Sequence, residues 1–322
     1  MRDRFVSVVT ELLDSEPRLA VVLADITVDR FKASGACERH PTRVVNVGIR
    51  EQLMVNVAAG MALEGMRTIA HSFAPFLIER SFEQVKLAFS HQGVGGILVS
   101  CGASYDVAAY GRTHESPEDV ALVATLPGWR IHVPGHPDEA EAFLRDAVQT
   151  DDAVYIRLSE RKNSAPVADA SGKLVPLRRG TPSAPTVIAV GPMLDPVLEA
   201  TAELDATVLY AATVRPFDGD GLRASVTGTD VILAEPYLEG TSAAEVSAAL
   251  PDRAHRLLSI GVPRTEHRKY GSPARHDAAH GLDAPGLRRR IADWLGRTGA
   301  DSDLDAAPPS LAELPHVHPA IP

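Results

Sequence analysis

One acidic residue lies where a carboxylate could do acid/base chemistry. Glu51 begins the stretch Glu51–Leu63, whose small and apolar residues have helical spacing, and Val55, Ala58 and Ala62 share its helix face. Glu51 is therefore expected to point inward. A buried carboxylate costs free energy unless it is paired, and such carboxylates are common at acid/base sites. A structural role stays open, because a negative charge in the first helical turn gains up to about 1 kcal/mol from the helix dipole.

Two aromatic residues and a histidine are further candidates. Phe76 lies in a turn that opens a predicted helix, where its ring could stack on a flat ligand, and Phe82 would form a second wall. His114 ends a long loop that follows the predicted strand 97–101, and such loops carry ligand sites in open α/β sheets. The pattern alone leaves other roles open, since the rings could be core residues and the histidine a helix cap.

Two arginines, Arg157 and Arg161, lie at the end of the predicted strand 154–158. The planar guanidinium group suits phosphate or carboxylate, which makes Arg161 a candidate for anion binding. Charged strand ends are more often simply solvated, so both roles stay open.

The order of the elements around these residues predicts an α/β protein of two domains. Short β-branched runs alternate with helical patterns over residues 1–163, which indicates a mostly parallel sheet covered by helices. A Pro-, Gly- and Ser-containing linker is expected at 164–185, a smaller α/β domain at 186–297 and a disordered tail at 298–322. The predicted strands are 19–24, 43–47, 68–70, 97–101, 130–133, 154–158, 186–190, 206–209, 230–234 and 256–260. The predicted helices are 51–63, 76–89, 116–125, 137–150 and 285–295.

Composition excludes several classes of function. The chain has 322 residues, 45% of them hydrophobic, and its 32 Lys plus Arg against 42 Asp plus Glu give a formal charge of −10. This charge disfavours nucleic acid and anionic membranes as partners. Two cysteines are too few for a disulfide framework, and we identify neither a secretory signal nor a membrane span, so a cytoplasmic protein is expected.

Several of these motifs together resemble the transketolase family. Val47-Gly-Ile-Arg-Glu-Gln52 followed by a small-residue helix closely resembles the pyrimidine-binding domain of that family. Ala24-Asp25, the segment His-Ser-Phe-Ala-Pro-Phe-Leu at 71–77 and the Thr-His pair at 113–114 match further family segments, and 186–295 is similar to the transketolase C-terminal domain. The resemblance implies that thiamine diphosphate is the cofactor.

The resemblance also implies a role for each candidate residue. Glu51 would hydrogen-bond N1′ of the cofactor's aminopyrimidine and so serve as the catalytic acid/base group. Phe76 would stack on the pyrimidine, Phe82 would be the second wall, and Asp25 would lie near the cofactor. His114 would contact substrate hydroxyls as a second catalytic residue.

The chain departs from the family where substrate binds. Transketolases of sugar phosphates have Asp-Gly-Pro-Thr-His where this chain has Tyr110-Gly-Arg-Thr-His114, and they have a histidine where this chain has Gly102. These departures make a standard pentose phosphate doubtful and assign Tyr110 and Arg112 to an altered substrate pocket. Arg161 lies near the family's phosphate-binding arginine.

The motif that holds the cofactor's Mg²⁺ is missing from this chain. Gly219-Asp220-Gly221 looks like the family's Gly-Asp-Gly, but the last asparagine of the chain is Asn163, so the required later asparagine is absent and the triplet is predicted to be a turn and helix start. The Mg²⁺ ligands are therefore expected on a separate diphosphate-binding subunit, in an α2β2 assembly with this chain as β.

The sequence thus favours the β-type subunit of a two-component transketolase-like enzyme that transfers a two-carbon ketol unit from a ketose or ketose phosphate. One alternative is the β subunit of a 2-oxo-acid dehydrogenase or decarboxylase, which shares the architecture. An alternative of another class is a non-catalytic partner subunit that has kept the fold without the chemistry.

Overall fold

Six short strands of the first domain carry mostly apolar side chains, as a sheet covered on both faces requires. This computed structural model describes residues 1–168 and 171–296, so the tail predicted at 298–322 lies outside the described residues. The strands are β1 (Leu19–Leu23), β2 (Val44–Asn46), β3 (Arg67–Phe73), β4 (Ile97–Cys101), β5 (Arg130–His132) and β6 (Val154–Arg157). All their pairings are parallel, and each overlaps a predicted strand.

Helices cover both faces of this sheet. They are α1 (Arg2–Ser15), α2 (Val28–Ala33), α3 (Ala36–Arg39), α4 (Glu51–Leu63), α5 (Phe82–Gln84), α6 (Asp119–Ala124) and α7 (Pro137–Val148). The apolar residues of α1 and α7 join one core cluster, and those of α4 and α6 join the other. The single helix predicted at 76–89 is instead divided, because α5 lies between two π-helical segments, Pro75–Glu79 and Val85–His91.

The second domain has its own five-stranded sheet. Its elements are β7 (Val175–Arg178), β8 (Thr186–Val190), α8 (Leu194–Ala200), β9 (Thr207–Ala211), β10 (Thr213–Arg215), α9 (Gly219–Ser225), β11 (Asp230–Leu238), α10 (Ala243–Ala249), β12 (Arg256–Val262), α11 (Pro273–His280) and α12 (Ala284–Gly296). The strand order is β12-β11-β8-β9-β7. β7 falls within the range predicted as a linker, yet it pairs antiparallel with β9 as an edge strand. The two-domain α/β prediction is confirmed.

β10 joins the two domains. It leaves the second domain and pairs antiparallel with β5, which gives the first sheet the order β10-β5-β6-β4-β3-β1-β2. Backbone hydrogen bonds from Val133 N to Ala212 O (2.7 Å) and from Leu238 N to Pro117 O (2.8 Å) add to this junction. The loops after β4 therefore lie against the second domain. In the described part of the chain, no helix has the length and apolarity that crossing a membrane requires.

Packing at the centre of the first sheet should dominate its stability. Leu98 in β4 is fully buried between β3 and β6, and we expect Leu98→Ala to lower the free energy of unfolding by about 2–5 kcal/mol. Leu177→Ala, on the exposed side of edge strand β7, should change it by less than about 1 kcal/mol. Urea denaturation followed by circular dichroism measures both, and equal losses would contradict this account of the core.

Candidate active site

The loop from β2 to α4 carries Glu51 into the protein interior. β2 ends at Asn46, and the chain then turns through Gly48, whose φ of 74° favours glycine. Glu51 is the first residue of α4 and is only 1% exposed. Arg80 donates a hydrogen bond from Nη1 to Glu51 Oε2 at 2.8 Å, and the Arg80 side chain is 41% exposed. An arginine at the surface therefore compensates the charge of this buried carboxylate.

Asp25 lies beside this turn, just beyond the carboxyl end of β1. Its φ of 64° is unusual for a residue other than glycine. Two hydrogen bonds with Asn46 hold it, from Asp25 N to Asn46 Oδ1 (2.9 Å) and from Asn46 Nδ2 to Asp25 Oδ1 (2.8 Å). The exposed carboxyl group of Asp25 is thus fixed at the edge of the sheet where Glu51 lies.

A π-helical turn brings Phe76 and Arg80 together. Arg80 N donates to Pro75 O at 2.9 Å, the wider hydrogen bond that defines this turn, and π-helical turns are frequent at functional sites. The Arg80 guanidinium carbon lies 4.2 Å from the centroid of the half-buried Phe76 ring. Phe82 is also half-buried and packs against the core cluster that contains α4 residues.

His114 lies against the same ring. Its imidazole centroid is 5.1 Å from that of Phe76, 5.8 Å from that of Phe73 and 5.0 Å from that of Tyr110. Burial and the nearby charge of Arg80 hold the pKa of His114 below its ordinary value. The imidazole is therefore neutral near pH 7 and can both donate and accept a hydrogen bond.

The two residues expected to line an altered substrate pocket have different surroundings. Tyr110 is exposed and free to contact a ligand. Arg112 donates from Nη2 to Glu118 Oε1 (2.7 Å), forms an ion pair with Glu266 (3.3 Å) and donates from Nη1 to the Glu115 carbonyl (2.8 Å). Two carboxylates thus already compensate the charge of Arg112.

Both arginines at the end of β6 also form ion pairs with carboxylates. Arg157 is buried, donates from Nε to Asp119 Oδ2 at 2.7 Å and is part of the interior. Arg161 forms an ion pair with Asp277 of α11 and donates from Nη1 to Met193 Sδ at 3.1 Å. Arg161 therefore contacts the second domain.

The structure brings Glu51, Phe76, His114 and Tyr110 together in one chain of contacts, whereas Phe82, Asp25, Arg112 and Arg161 contact other residues. Arg80 completes that chain, although it was not predicted as a site residue. Its position four residues after Phe76 was the available signal, but its partner Glu51 lies 29 residues earlier in the chain.

Comparison with known families identifies both domains of the chain. The model described as "Transketolase, pyrimidine binding domain" matches residues 1–165, and "Transketolase, C-terminal domain" matches residues 175–287. The chain belongs to the transketolase family. The second match begins at β7, in agreement with the pairing of that strand in the second sheet.

Individual relatives in the family are of two sizes. A "33.6 kDa protein in fasciation locus" of Rhodococcoides fascians is 50% identical over 88% of this chain and 91% of that protein. The 6-deoxy-6-sulfo-D-fructose transketolase subunit SqwH of a Clostridium strain is 31% identical over 72% of this chain and 74% of its own length. The chain spans only about half (48%) of the length of a 1-deoxy-D-xylulose-5-phosphate synthase from Acidovorax.

A solved structure also resembles this chain in fold. That structure is a "split gene transketolase, inactive beta4 tetramer", which is 25% identical with a TM-score of 0.78 over 92% of this chain and 98% of its own. The resemblance to split transketolases that the sequence indicated is therefore confirmed.

Transketolase-family enzymes depend on thiamine diphosphate, and the residues present fit its pyrimidine half. A buried carboxylate that already accepts an N–H hydrogen bond lies beside a half-buried aromatic ring, which are the features that a flat nitrogen heterocycle requires. Among the described residues, no group of three or more His, Cys, Asp or Glu side chains is arranged to hold a metal ion. Gly219 begins α9 as predicted, with Asp218 as its N-cap.

The protonation of Glu115, next to His114 in the chain, should make the stability of this transketolase-family chain depend on pH. Burial raises the pKa of Glu115 from 4.5 to about 7, with Arg112 opposing and Glu266 and Glu118 adding to the rise. Between these pH values the folded chain holds a proton that the unfolded chain releases, so the free energy of unfolding falls as the pH rises through this window.

Glu115→Gln removes this titration, so we expect the variant to gain thermal stability relative to the wild type between about pH 5 and about pH 8. Thermal midpoints across this range measure the gain. Glu64→Gln, at an exposed position, is the control that removes the same charge without burial. A difference for Glu115→Gln that stays constant with pH would contradict this assignment.

Proposed function

We propose that this chain is the β-type, pyrimidine-binding subunit of a cytoplasmic two-component transketolase. It would transfer a two-carbon ketol unit from a ketose or ketose phosphate to an aldehyde acceptor. The observation that carries the proposal is the buried carboxylate of Glu51 at the start of α4, hydrogen-bonded to an N–H donor beside the Phe76 ring. Thiamine diphosphate, when bound, supplies the nucleophilic carbon that carries the transferred unit.

Each residue of this chain then has a defined task. Glu51 accepts a hydrogen bond from the pyrimidine nitrogen N1′ and holds the proton there, a task that requires a carboxylate protected from water. Phe76 offers its ring as a stacking surface, Phe82 would form a second wall, and Asp25 would lie near the cofactor at the neighbouring strand end. His114, neutral near pH 7, can orient a substrate hydroxyl and exchange a proton with it.

The proposed substrate pocket differs from that for a simple pentose phosphate. Tyr110 is exposed beside His114 and can contact the substrate, whereas Arg112 and Arg161 would have to exchange a carboxylate partner to bind an anion. SqwH, whose name includes a sulfonated ketose, supports a specialised donor. We therefore infer that the donor or acceptor belongs to a specialised pathway.

The composition of the outer face of α4 supports the proposal that a partner subunit binds there. No residue from Gln52 to Leu63 is charged, although this face is solvent-exposed in the free chain. Leu53 and Leu63 are exposed along it, Ile49 is exposed in the turn before the helix, and Leu87 is exposed on the neighbouring π-helical segment. An uncharged, partly apolar helix face is typical of a protein interface.

This face begins next to Glu51, so a partner that covers it also encloses the cofactor site. The match to almost the whole β chain of a split transketolase supports a separate diphosphate-binding subunit. We propose that this subunit supplies the Mg²⁺ ligands in an α2β2 enzyme.

The catalytic role of Glu51 has a direct test. In the enzyme reconstituted with its diphosphate-binding subunit, we expect Glu51→Gln to reduce ketol transfer by about 10²- to 10⁴-fold, the usual contribution of a general acid/base group. Glu83→Gln, an exposed neighbour on α5, is the matched control and should retain activity. Turnover by Glu51→Gln within a factor of about two of the wild type would favour a non-catalytic partner subunit.

A second prediction concerns subunit assembly through the outer face of α4. Leu53→Glu introduces a charge at the proposed interface, so we expect the affinity for the diphosphate-binding subunit to fall by at least about tenfold, because burying an unpaired charge is costly. Leu177→Glu, an equally exposed leucine in the second domain, should not affect assembly. Sedimentation velocity measures both. Equal effects of the two variants, or ketol transfer by the chain alone with thiamine diphosphate and Mg²⁺, would contradict the two-subunit proposal.

A further inference from the structure

Arg80 contacts both residues that define the proposed pyrimidine site. Its Nη1 donates to Glu51 Oε2 at 2.8 Å, and its guanidinium carbon lies 4.2 Å from the centroid of the Phe76 ring. The π-helical turn 75–79 positions it, because that turn places Phe76 and Arg80 on the same side of the backbone. One planar cation thus satisfies a buried carboxylate and covers an aromatic ring.

A guanidinium group and a protonated aminopyrimidine ring have the same recognition chemistry. Both are planar, both carry positive charge, both donate N–H hydrogen bonds to a carboxylate, and both stack on aromatic rings. A pyrimidine ring that hydrogen-bonds Glu51 and stacks on the covered face of Phe76 would need the volume that the Arg80 guanidinium fills.

We propose that Arg80 is a placeholder for the pyrimidine ring. In the free chain it holds Glu51 and Phe76 in position, and it gives up both contacts when the pyrimidine enters. Arg80 is thus a positioning residue of the cofactor site, and this inference rests on the proposed function.

The exposure of Arg80 allows this exchange. A buried carboxylate without a partner is strongly unfavourable, so the free chain needs a cation next to Glu51. The Arg80 side chain is 41% exposed, so it can move into solvent without opening the core. Solvent screens the contacts of the half-exposed Arg80 guanidinium, so breaking them on cofactor entry should weaken cofactor binding by only about tenfold.

The affinity of the complex for thiamine diphosphate tests whether Arg80 is a placeholder. The complex with the diphosphate-binding subunit is titrated with thiamine diphosphate and Mg²⁺, and the dissociation constant is measured by quenching of tryptophan fluorescence. We expect Arg80→Gln to bind about tenfold more tightly than the wild type, with turnover at saturating cofactor within a factor of about two. Arg50→Gln controls for the loss of a positive charge beside Glu51 and should not tighten binding.

A dissociation constant for Arg80→Gln that is unchanged or higher, or a large loss of turnover at saturating cofactor, would overturn the proposal and make Arg80 a permanent partner of Glu51. A wild-type complex that binds no thiamine diphosphate would instead refute the proposed function itself. Should Arg80→Gln not fold, Arg80→Lys takes its place, because it keeps the charge and loses the planar group. Arg80→Lys should also bind the cofactor more tightly than the wild type, by less than Arg80→Gln.

The free chain gives an independent readout. Arg80→Gln should lower its thermal midpoint because Glu51 loses its cation, and the double variant Glu51→Gln/Arg80→Gln should recover most of the loss. This double-mutant cycle isolates the pair without requiring cofactor or partner. Additive effects of the two substitutions would mean that Arg80 does not hold Glu51 in the free chain.

Discussion

The burial of one carboxylate, that of Glu51, constrains the rest of this molecule. A charged group away from water requires a partner charge or hydrogen-bond donors, and here Arg80 meets that requirement at 2.8 Å. Burying this carboxylate also requires a sharp turn before α4 and a closely packed helix. Gly48 turns the chain sharply after β2, and the small and apolar residues of α4 let that helix pack closely against the sheet and carry Glu51 inward.

The remaining site residues are held by the edge of the first sheet. Asp25 and Asn46 connect the ends of β1 and β2 through two hydrogen bonds, and Phe76 follows directly after β3. His114 is carried by the loop after β4, whose position depends on contacts with the second domain. The backbone hydrogen bond from Leu238 to Pro117 and the pairing of β10 with β5 fix the first domain against the second. The second domain therefore supports the geometry of the candidate site.

Local patterns in the sequence predicted what depends on local structure. The apolar helix face that Glu51 shares with Val55 and Ala58 predicted that the carboxylate is buried. The β-branched runs predicted every strand of the first sheet except β10. β10 was missed because it has three residues and pairs across the domain junction, and β7 because a short edge strand in a Pro- and Gly-containing segment resembles a linker. The division of 76–89 into π-helical segments has no simple sequence signature.

Charge compensation was the other property that the sequence could not predict. From the sequence, Arg161 was the candidate for anion binding, with Arg157 near it at the end of the same strand, and Arg112 was expected to line an altered substrate pocket. In the folded chain each forms an ion pair with a carboxylate from a distant segment: Asp277, Asp119 and Glu266, respectively. An anionic substrate would have to compete with these carboxylates. The neutral imidazole of His114 and the exposed phenol of Tyr110 are not paired with a carboxylate of the described residues. In the proposed enzyme, hydrogen bonding by these two groups would therefore recognise a substrate at the lowest cost in free energy.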